Sequence, residues 1–283
     1  MTSGNKPMRP HILGIDHVVI LVRDLDAAAE TFARLGFALT PRGRHSIGTQ
    51  NHCLMFERDY LELLAIAEPH PVTTAFADFL AVAEGAGAIA FSSDDAAAAH
   101  ASLQADGIAA QAPVDFSRPV ALPSGSRDAR FRIVQLANEA TPGCRSFLCQ
   151  HFTPEVVWRD EYRNHPVGLV GLAGVSIVTD APDDTARAWD RVLGTTSAVA
   201  SEDRRLRVGG AEIVFGDREA WRSAPAAPAA RAVPFIAALR LRVRDRAAAA
   251  AALERGGFDA KRLADGSLAI AAEHAHGVAL VFD

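Results

Sequence analysis

The sequence predicts an α+β protein built from four βαβββ modules that pair into two domains. Three observations favour this class. A strand–cap–helix phrase recurs four times along the 283 residues. Short β-like runs follow at least three of the copies, and each predicted helix lies between an aspartate and a glycine. Because one module alone would leave a sheet face and a sheet edge uncovered, we expect the modules to pair.

The first module begins with the apolar run GIDHVVIL, which predicts a strand buried on both faces. Strand alternation places His17 on one face with Val19, and Asp16 on the other face with Val18. A histidine in such a run is either hydrogen-bonded inside a core or part of a functional site.

A helix follows this strand, with Asp24 as its N-cap and Gly36 as its left-handed end. Its apolar stripe has helical spacing and consists of Leu25, Ala28, Phe32 and Leu35. The same twelve-residue spacing from aspartate to glycine returns twice, and a looser copy occurs once; these pairs are Asp95–Gly107, Asp245–Gly257 and Asp180–Gly194.

Four modules are therefore predicted, over residues 11–68, 85–155, 168–218 and 233–283. Residues 70–85 predict an extra amphipathic helix between the first two modules. The Pro- and Ala-rich residues 223–234 predict a linker between the last two. We expect residues 1–160 and 161–283 to form the two domains.

Composition limits the partners and the compartment. The net charge is −5 and the basic residues form no stripe, which argues against nucleic acid. No apolar segment is long enough for a bilayer, and the N-terminus lacks the apolar core of a signal peptide. Three cysteines without a Cys-x-x-Cys pair favour a reducing compartment. We expect a cytoplasmic protein with a small-molecule substrate and no membrane partner.

Three phrases of the first module carry a family resemblance: IDHVVILVRDLDAAAETFARLGF, GRHSIGTQN and YLELLAI. They resemble the vicinal oxygen chelate superfamily, and within it the glyoxalase-like domain subfamily. The later stretch CQHFTPEVVWRDEYRNHPVG is also similar, although HPVG stands where HPNG is usual. The resemblance implies curled mixed sheets that enclose a cleft. It also implies that the first domain carries a metal site whose ligands face this cleft.

The resemblance also implies that His17 and Glu62 coordinate a divalent metal ion. Both residues are polar in otherwise apolar strands, and a buried unpaired charge is costly. Imidazole and carboxylate are suitable ligands for Zn, Fe, Mn, Ni or Mg, and the sequence does not distinguish these ions.

His151 is the predicted third metal ligand, which would give two histidines and one carboxylate with open positions for substrate. Gln150 is its rival, because neighbours on a strand point to opposite faces.

Four further residues complete the predicted site. His45, as a proton carrier alongside Glu62, and Asn51, as a substrate ligand, belong to the loop that resembles the family. Arg159 and His165 lie near the domain junction and are assigned to substrate binding. Support of the metal ligands and a structural role stay open for both residues.

The other modules lack the full ligand set. Aligned on their aspartate caps, they place Ala88, Ala173 (or Gly174) and Ala238 where the first module has His17. Glu212 matches Glu62 in the third module and is expected to be a surface carboxylate. The second domain is therefore predicted to be metal-free.

The leading functional hypothesis is a metal-dependent enzyme that stabilises an enolate during isomerase or lyase chemistry. The alternative is a metal-free protein that sequesters a small molecule. A ring-cleaving dioxygenase is disfavoured, because its iron ligands would come from the strands that carry alanine or glycine here. The sequence also admits a homodimer.

Overall fold

The computed structural model describes residues 7–122, 125–200, 203–218, 221 and 231–283. Two eight-stranded mixed sheets dominate it, as predicted. The strands of the first sheet are β1 (Gly14–Leu21), β2 (Gly43–Arg44), β3 (Thr49–Met55), β4 (Tyr60–Ile66), β5 (Gly85–Ser92), β6 (Val114–Leu122), β7 (Gly125–Gln135) and β8 (Arg145–His151).

The second sheet repeats this pattern. Its strands are β9 (Leu169–Val178), β10 (Ala198–Ala200), β11 (Asp203–Val208), β12 (Ala211–Gly216), β13 (Phe235–Val243), β14 (Lys261–Arg262), β15 (Leu268–Ile270) and β16 (Ala279–Phe282). The strand orders β2-β3-β4-β1-β5-β8-β7-β6 and β10-β11-β12-β9-β13-β16-β15-β14 are equivalent. Neighbouring modules therefore pair, through antiparallel β1–β5 and β9–β13 contacts.

Helices connect the strands. They are α1 (Leu25–Arg34), α2 (Thr74–Val82), α3 (Ala96–Ala105), α4 (Pro154–Val157), α5 (Pro182–Leu193) and α6 (Arg246–Arg255). Short 3₁₀ turns occupy Pro71–Thr73, Asn138–Ala140, Asp160–Tyr162 and Ala272–His274. The predicted extra helix is α2. Most of the predicted linker, residues 223–230, lies outside the described residues. Among the described helices, none is long and apolar enough to span a membrane.

The repeated aspartates act as predicted in three modules. Asp24, Asp95 and Asp245 each accept hydrogen bonds from two backbone N–H groups in the first turn of a helix. Asp180 does not cap α5. This helix starts at Pro182, and its N-cap residue is Ala181, which has no side-chain acceptor for the first backbone N–H groups. This difference explains why the third copy of the phrase has a longer spacing.

One apolar core continues from the first half of the chain into the second. Trp189 of α5 is fully buried between Phe91 and Phe215, at ring-centroid distances of 6.1 and 5.7 Å. The buried Arg9 also joins the halves, because its guanidinium donates to the carbonyls of Arg191 and Val192 and to Ser102 Oγ. The domain boundary at 160/161, between β8 and β9, stays a prediction.

Two glycines mark close approaches between the halves. A side chain on Gly277, which has φ +84°, would overlap the carbonyl oxygen of Glu84. A side chain on Gly256 would overlap the carbonyl oxygen of Arg34 at the end of α1. The backbones touch here, so these positions admit no larger residue without displacement of one half.

A buried carboxylate, Asp59, also lies at this junction. Its Oδ1 accepts a 2.7 Å hydrogen bond from the Leu172 N–H. Burial raises the pKa of Asp59 to about 6, against the smaller opposing effects of that hydrogen bond and of Arg242.

This raised pKa predicts a pH-dependent stability. The folded state favours protonated Asp59 more than the unfolded chain does. Its contribution to the free energy of unfolding is therefore complete below pH ~4 and is lost as the pH rises to ~6, a decrease of up to about 3 kcal/mol. Asp59→Asn keeps an oxygen acceptor for Leu172 and cannot ionise. Urea unfolding between these pH values should therefore show a steeper fall for the parent protein than for Asp59→Asn. Parallel curves would contradict this assignment.

Candidate functional site

The two predicted metal ligands line a pocket inside the curl of the first sheet. The pocket has a volume of about 120 Å³. His17 on β1 lies beside Tyr60 of the parallel strand β4, and Val19 lies beside Glu62. This register brings the imidazole and the carboxylate onto the same wall. Strands β2 and β6, at opposite edges of the sheet, approach each other across the pocket.

A β-bulge at the start of β1 alters the predicted strand faces. The pairing with β5 shifts between Ile15 and His17, and Ile15 packs into the outer core with Val18. Asp16 was predicted to face away from His17, but its Oδ1 accepts a 2.7 Å hydrogen bond from His17 Nδ1. Asp16 therefore belongs to the site, and strict alternation missed it.

Asp16 is held ionised. Burial would raise its pKa, but the charge and hydrogen bond of His151, together with those of His17, lower it below the ordinary value. A carboxylate bound to Nδ1 fixes the tautomer and orientation of His17, so its Nε2 lone pair is available.

Glu62 is anchored through one oxygen. Its Oε1 accepts a 2.5 Å hydrogen bond from Asn51 Nδ2, and its Oε2 lies 3.6 Å from His17 Nε2. Tyr60 stacks on the His17 ring at a centroid distance of 4.4 Å, and Phe147 contacts its edge at 5.5 Å. The structure thus brings together His17, Glu62 and Asn51, with the imidazole clamped by aromatic rings.

His45 lines the same pocket. Its Nδ1 is hydrogen-bonded to Thr49 Oγ1 at 2.7 Å. Burial lowers the pKa of His45, although the charge of Glu62 opposes this effect. The ring is therefore neutral near pH 7 and suits accepting a proton more than delivering one. His52, which follows Asn51 on β3, does not line the pocket and binds the carbonyl of Thr40 instead.

His151 does not reach this pocket. Gln150 points to the other face and binds the start of α3, accepting from the Ala96 N–H and donating to the Asp94 carbonyl. His151 is directed inward, but its Nε2 contacts Asp16 Oδ1 at 3.2 Å. The inward-turned Asp16 thus binds both imidazoles and separates His151 from the Nε2 side of His17 only through these hydrogen bonds to its Oδ1.

Asp16, Cys149 and His151 form a cluster of three potential metal ligands, whose ligand atoms lie within 4.8 Å of one another. Within the described ranges, no other group of three His, Cys, Asp or Glu residues meets this distance. Burial raises the pKa of the Cys149 thiol well above its ordinary value, helped by Asp16 and Glu62. The thiol is therefore protonated, and Asp16 Oδ1 already binds two imidazoles. These contacts describe a hydrogen-bonded cluster behind His17.

Arg159 and His165 also lie away from the pocket lining. Arg159 is bound in a bidentate ion pair by Glu161. His165 is buried, where its Nδ1 accepts from the Ala38 N–H and its Nε2 donates to the Met55 carbonyl. The structure gives His165 the packing role that the sequence left open.

Comparisons with known proteins agree with this architecture. A family model described as "Glyoxalase-like domain" matches residues 15–193, well over half of the chain. The chain belongs to the glyoxalase-like domain family. This places it in the vicinal oxygen chelate superfamily, as the first module predicted. No curated protein matches the sequence.

Solved structures share the two-domain glyoxalase-like fold. A hypothetical protein from Staphylococcus aureus has a TM-score of 0.67 and 14% identity, with 95% of this chain and 98% of that chain covered. A mutant of 4-hydroxymandelate synthase from Streptomyces coelicolor has a TM-score of 0.63 and 15% identity, with coverages of 97% and 92%. At these identities the likeness shows the fold alone.

The glyoxalase-like pocket also contains residues that sequence reasoning missed. Two arginines and four phenylalanines line it; these are Arg118, Arg145, Phe76, Phe116, Phe131 and Phe147. Phe147 was assigned to the inward face of its strand, but no role followed from that. The arginines gave no signal, because a single arginine in a β-like run is ordinary at a sheet edge.

The second module contributes no ligand opposite His17 and Glu62. Its β5–β8 register pairs Ala90 with Phe147, as β1–β4 pairs Val19 with Glu62. An alanine and a phenylalanine thus occupy the equivalent positions, Ala88 and Phe147. In the second sheet, Glu212 is partly exposed on the interior strand β12 and forms an ion pair with Arg205 at 3.1 Å.

Proposed function

We propose that this protein is an enzyme that acts on an oxygen-rich small molecule in the pocket of the first domain, with His17 and Glu62 holding a divalent cation. The observation that carries the proposal is the facing pair His17 Nε2 and Glu62 Oε2, 3.6 Å apart. Asp16 occupies Nδ1 and Asn51 occupies Oε1, so both remaining atoms can bind a common partner. A buried carboxylate oxygen needs such a partner.

The donor set fits a divalent cation with few protein ligands. Metal–ligand distances of roughly 2.0–2.2 Å and tetrahedral angles put two ligand atoms about 3.4 Å apart, close to the separation in this pocket. Among the described residues, no further imidazole, carboxylate or thiol joins both atoms within 4.8 Å. The remaining positions would be left to substrate and water. The choice among Zn, Fe, Mn, Ni and Mg is open.

A cation bound here would supply Lewis-acid stabilisation to an enolate or similar oxyanion. The side chains of the protein do the rest. Asn51 holds the Glu62 carboxylate in place, and Asp16 holds the His17 ring. The neutral His45, in the same pocket, accepts a proton from bound substrate. The stacked Tyr60 and the edge of Phe147 exclude water from the imidazole face.

Metal retention tests this proposal without an activity assay. Protein dialysed against Zn²⁺ or Mn²⁺ and then gel-filtered should retain about one ion per chain, measured by mass spectrometry of the metal. His17→Ala and Glu62→Gln should lose that ion. His52→Ala is the matched control, because this histidine lies on the neighbouring strand and binds a backbone carbonyl.

A His151→Ala variant locates the ion. Retention by this variant agrees with the His17–Glu62 site. Loss of the ion in His151→Ala with retention in Glu62→Gln would place it in the Asp16–Cys149–His151 cluster and would contradict the proposal.

A metal-free binding protein is the second candidate. It is favoured by Ala88 and Phe147, which stand where a second pair of ligands would complete the site. In this case, the dialysed protein would retain no ion, and ligand binding would be the same with and without a chelator.

A further inference from the structure

We infer that the pocket binds an organic anion, a carboxylate with a flat apolar body, through Arg118 and Arg145. The inference rests on the proposed function in one respect, since it names the substrate class of the same pocket. Its support comes from different residues, which belong to the β6–β7 hairpin and to the start of β8.

Arg145 brings a half-buried positive charge to the pocket, and no described carboxylate pairs with it. Its Nη2 donates a 3.0 Å hydrogen bond to the neutral Gln135, and its guanidinium lies 5.4 Å from the Phe76 ring centroid. Burial lowers its pKa, and no charged group offsets that effect. Both neighbours are neutral, so no negative charge offsets the partial burial of this guanidinium within the described part of the chain.

Arg118 lies on β6 and also lines the pocket. Burial lowers the pKa of His45 and raises that of Cys53, and the charge of Arg118 is a smaller influence on both, so the guanidinium acts on the pocket interior. No hydrogen bond or ion pair joins its side chain to a described residue. Other arginines of the chain behave differently. Arg132 and Arg240, for example, each bind an aspartate at 3.1 Å or less.

The charges of the pocket do not balance. Glu62 is its one carboxylate among the described lining residues, against the two guanidinium groups. Asp16 lies behind His17 and is already bound by two imidazoles. A cation held by Glu62 would enlarge the positive excess. An anionic ligand corrects the imbalance and satisfies guanidinium donors suited to carboxylate oxygens.

The walls indicate the rest of the ligand. Phe116 and Phe131 stack at a centroid distance of 5.0 Å with their planes 22° apart. Phe147 and Phe76 line other parts of the pocket. Aromatic faces at several sides favour a flat apolar body, because stacked and edge-to-face contacts both become available.

Calorimetric titration with phenylacetate and its neutral isostere phenylacetamide tests this inference. The chelator EDTA is present throughout, so a failure of metal retention leaves the result intact. We expect phenylacetate to bind at least tenfold more tightly than phenylacetamide. Arg118→Gln and Arg145→Gln should each weaken phenylacetate binding about 10- to 100-fold, the range for a hydrogen bond to a charged group.

Two controls accompany these variants. Phenylacetamide affinity should change little in both, which shows that the pocket is still folded. Arg159→Gln removes an arginine that the sequence assigned to substrate binding and that the structure pairs with Glu161; its phenylacetate affinity should equal that of the parent. Equal affinities for the two probes, unchanged binding in both pocket variants, or no binding of phenylacetate at millimolar concentration would overturn the inference.

Discussion

Replacement of Asp16 by alanine should lower the free energy of unfolding by about 3–5 kcal/mol, the usual cost of removing one partner from a buried charged pair. Asp16 Oδ1 accepts from His17 Nδ1 at 2.7 Å and from His151 Nε2 at 3.2 Å. Without the Asp16 carboxylate, the imidazoles of His17 and His151 lose their shared hydrogen-bond acceptor in the interior of the protein. Urea unfolding of the parent and the variant measures the difference.

Two further variants separate charge from geometry. Asp16→Asn keeps an oxygen acceptor but loses the negative charge, so its loss of stability should be intermediate. Asp115→Ala is the surface control, because Asp115 is exposed and solvent screens its ion pair with Arg132, which should therefore contribute little to stability. If Asp16→Ala and Asp115→Ala cost the same, the buried cluster does not have the role assigned to it.

A Gly277→Ala variant should strongly destabilise the protein. The new Cβ would meet the backbone carbonyl of Glu84, and alanine would also be strained at φ +84°. We expect a loss of about 3–5 kcal/mol, from backbone strain of about 1–2 kcal/mol and overpacking of about 1–3 kcal/mol. Thermal or urea unfolding gives the value.

Gly107→Ala is the matched control for this change. Gly107 has φ +68°, and no atom lies within 4 Å of its Cβ position. It therefore carries the strain without the collision, and the difference between the two variants isolates the contact between the halves. Equal losses would mean that the Gly277 backbone moves away from Glu84 at little cost.

The architecture was predictable because it repeats. Asp24, Asp95 and Asp245 cap their helices as their common phrase predicts, and the strand order of the second sheet copies the first. Hydrophobic periodicity and capping are local properties, so one sequence contains them. The departure at Asp180 is also local, since Pro182 suits the first turn of a helix and moves the start of α5.

The site was predictable only in part. His17 and Glu62 meet because parallel pairing of β1 and β4 follows from the module. His151 was predicted beside them only because its strand and strand face point toward the cleft. The sequence does not show that a β-bulge turns Asp16 inward, between His17 and His151. Arg118 and Arg145 were not predicted as site residues, for a related reason. The curl of a sheet decides which side chains close its pocket, and this curl depends on β-bulges and on contacts between distant sheet edges.

The segment around Arg9 has a consequence for the order of assembly during synthesis. All strands of the first sheet precede residue 152, so this sheet can pair completely before the second begins to emerge from the ribosome. Arg9 cannot finish its bonding then, because two of its acceptors are the carbonyls of Arg191 and Val192. Arg9, which precedes the first strand, is thus fixed in place only after residues 191 and 192 have been translated.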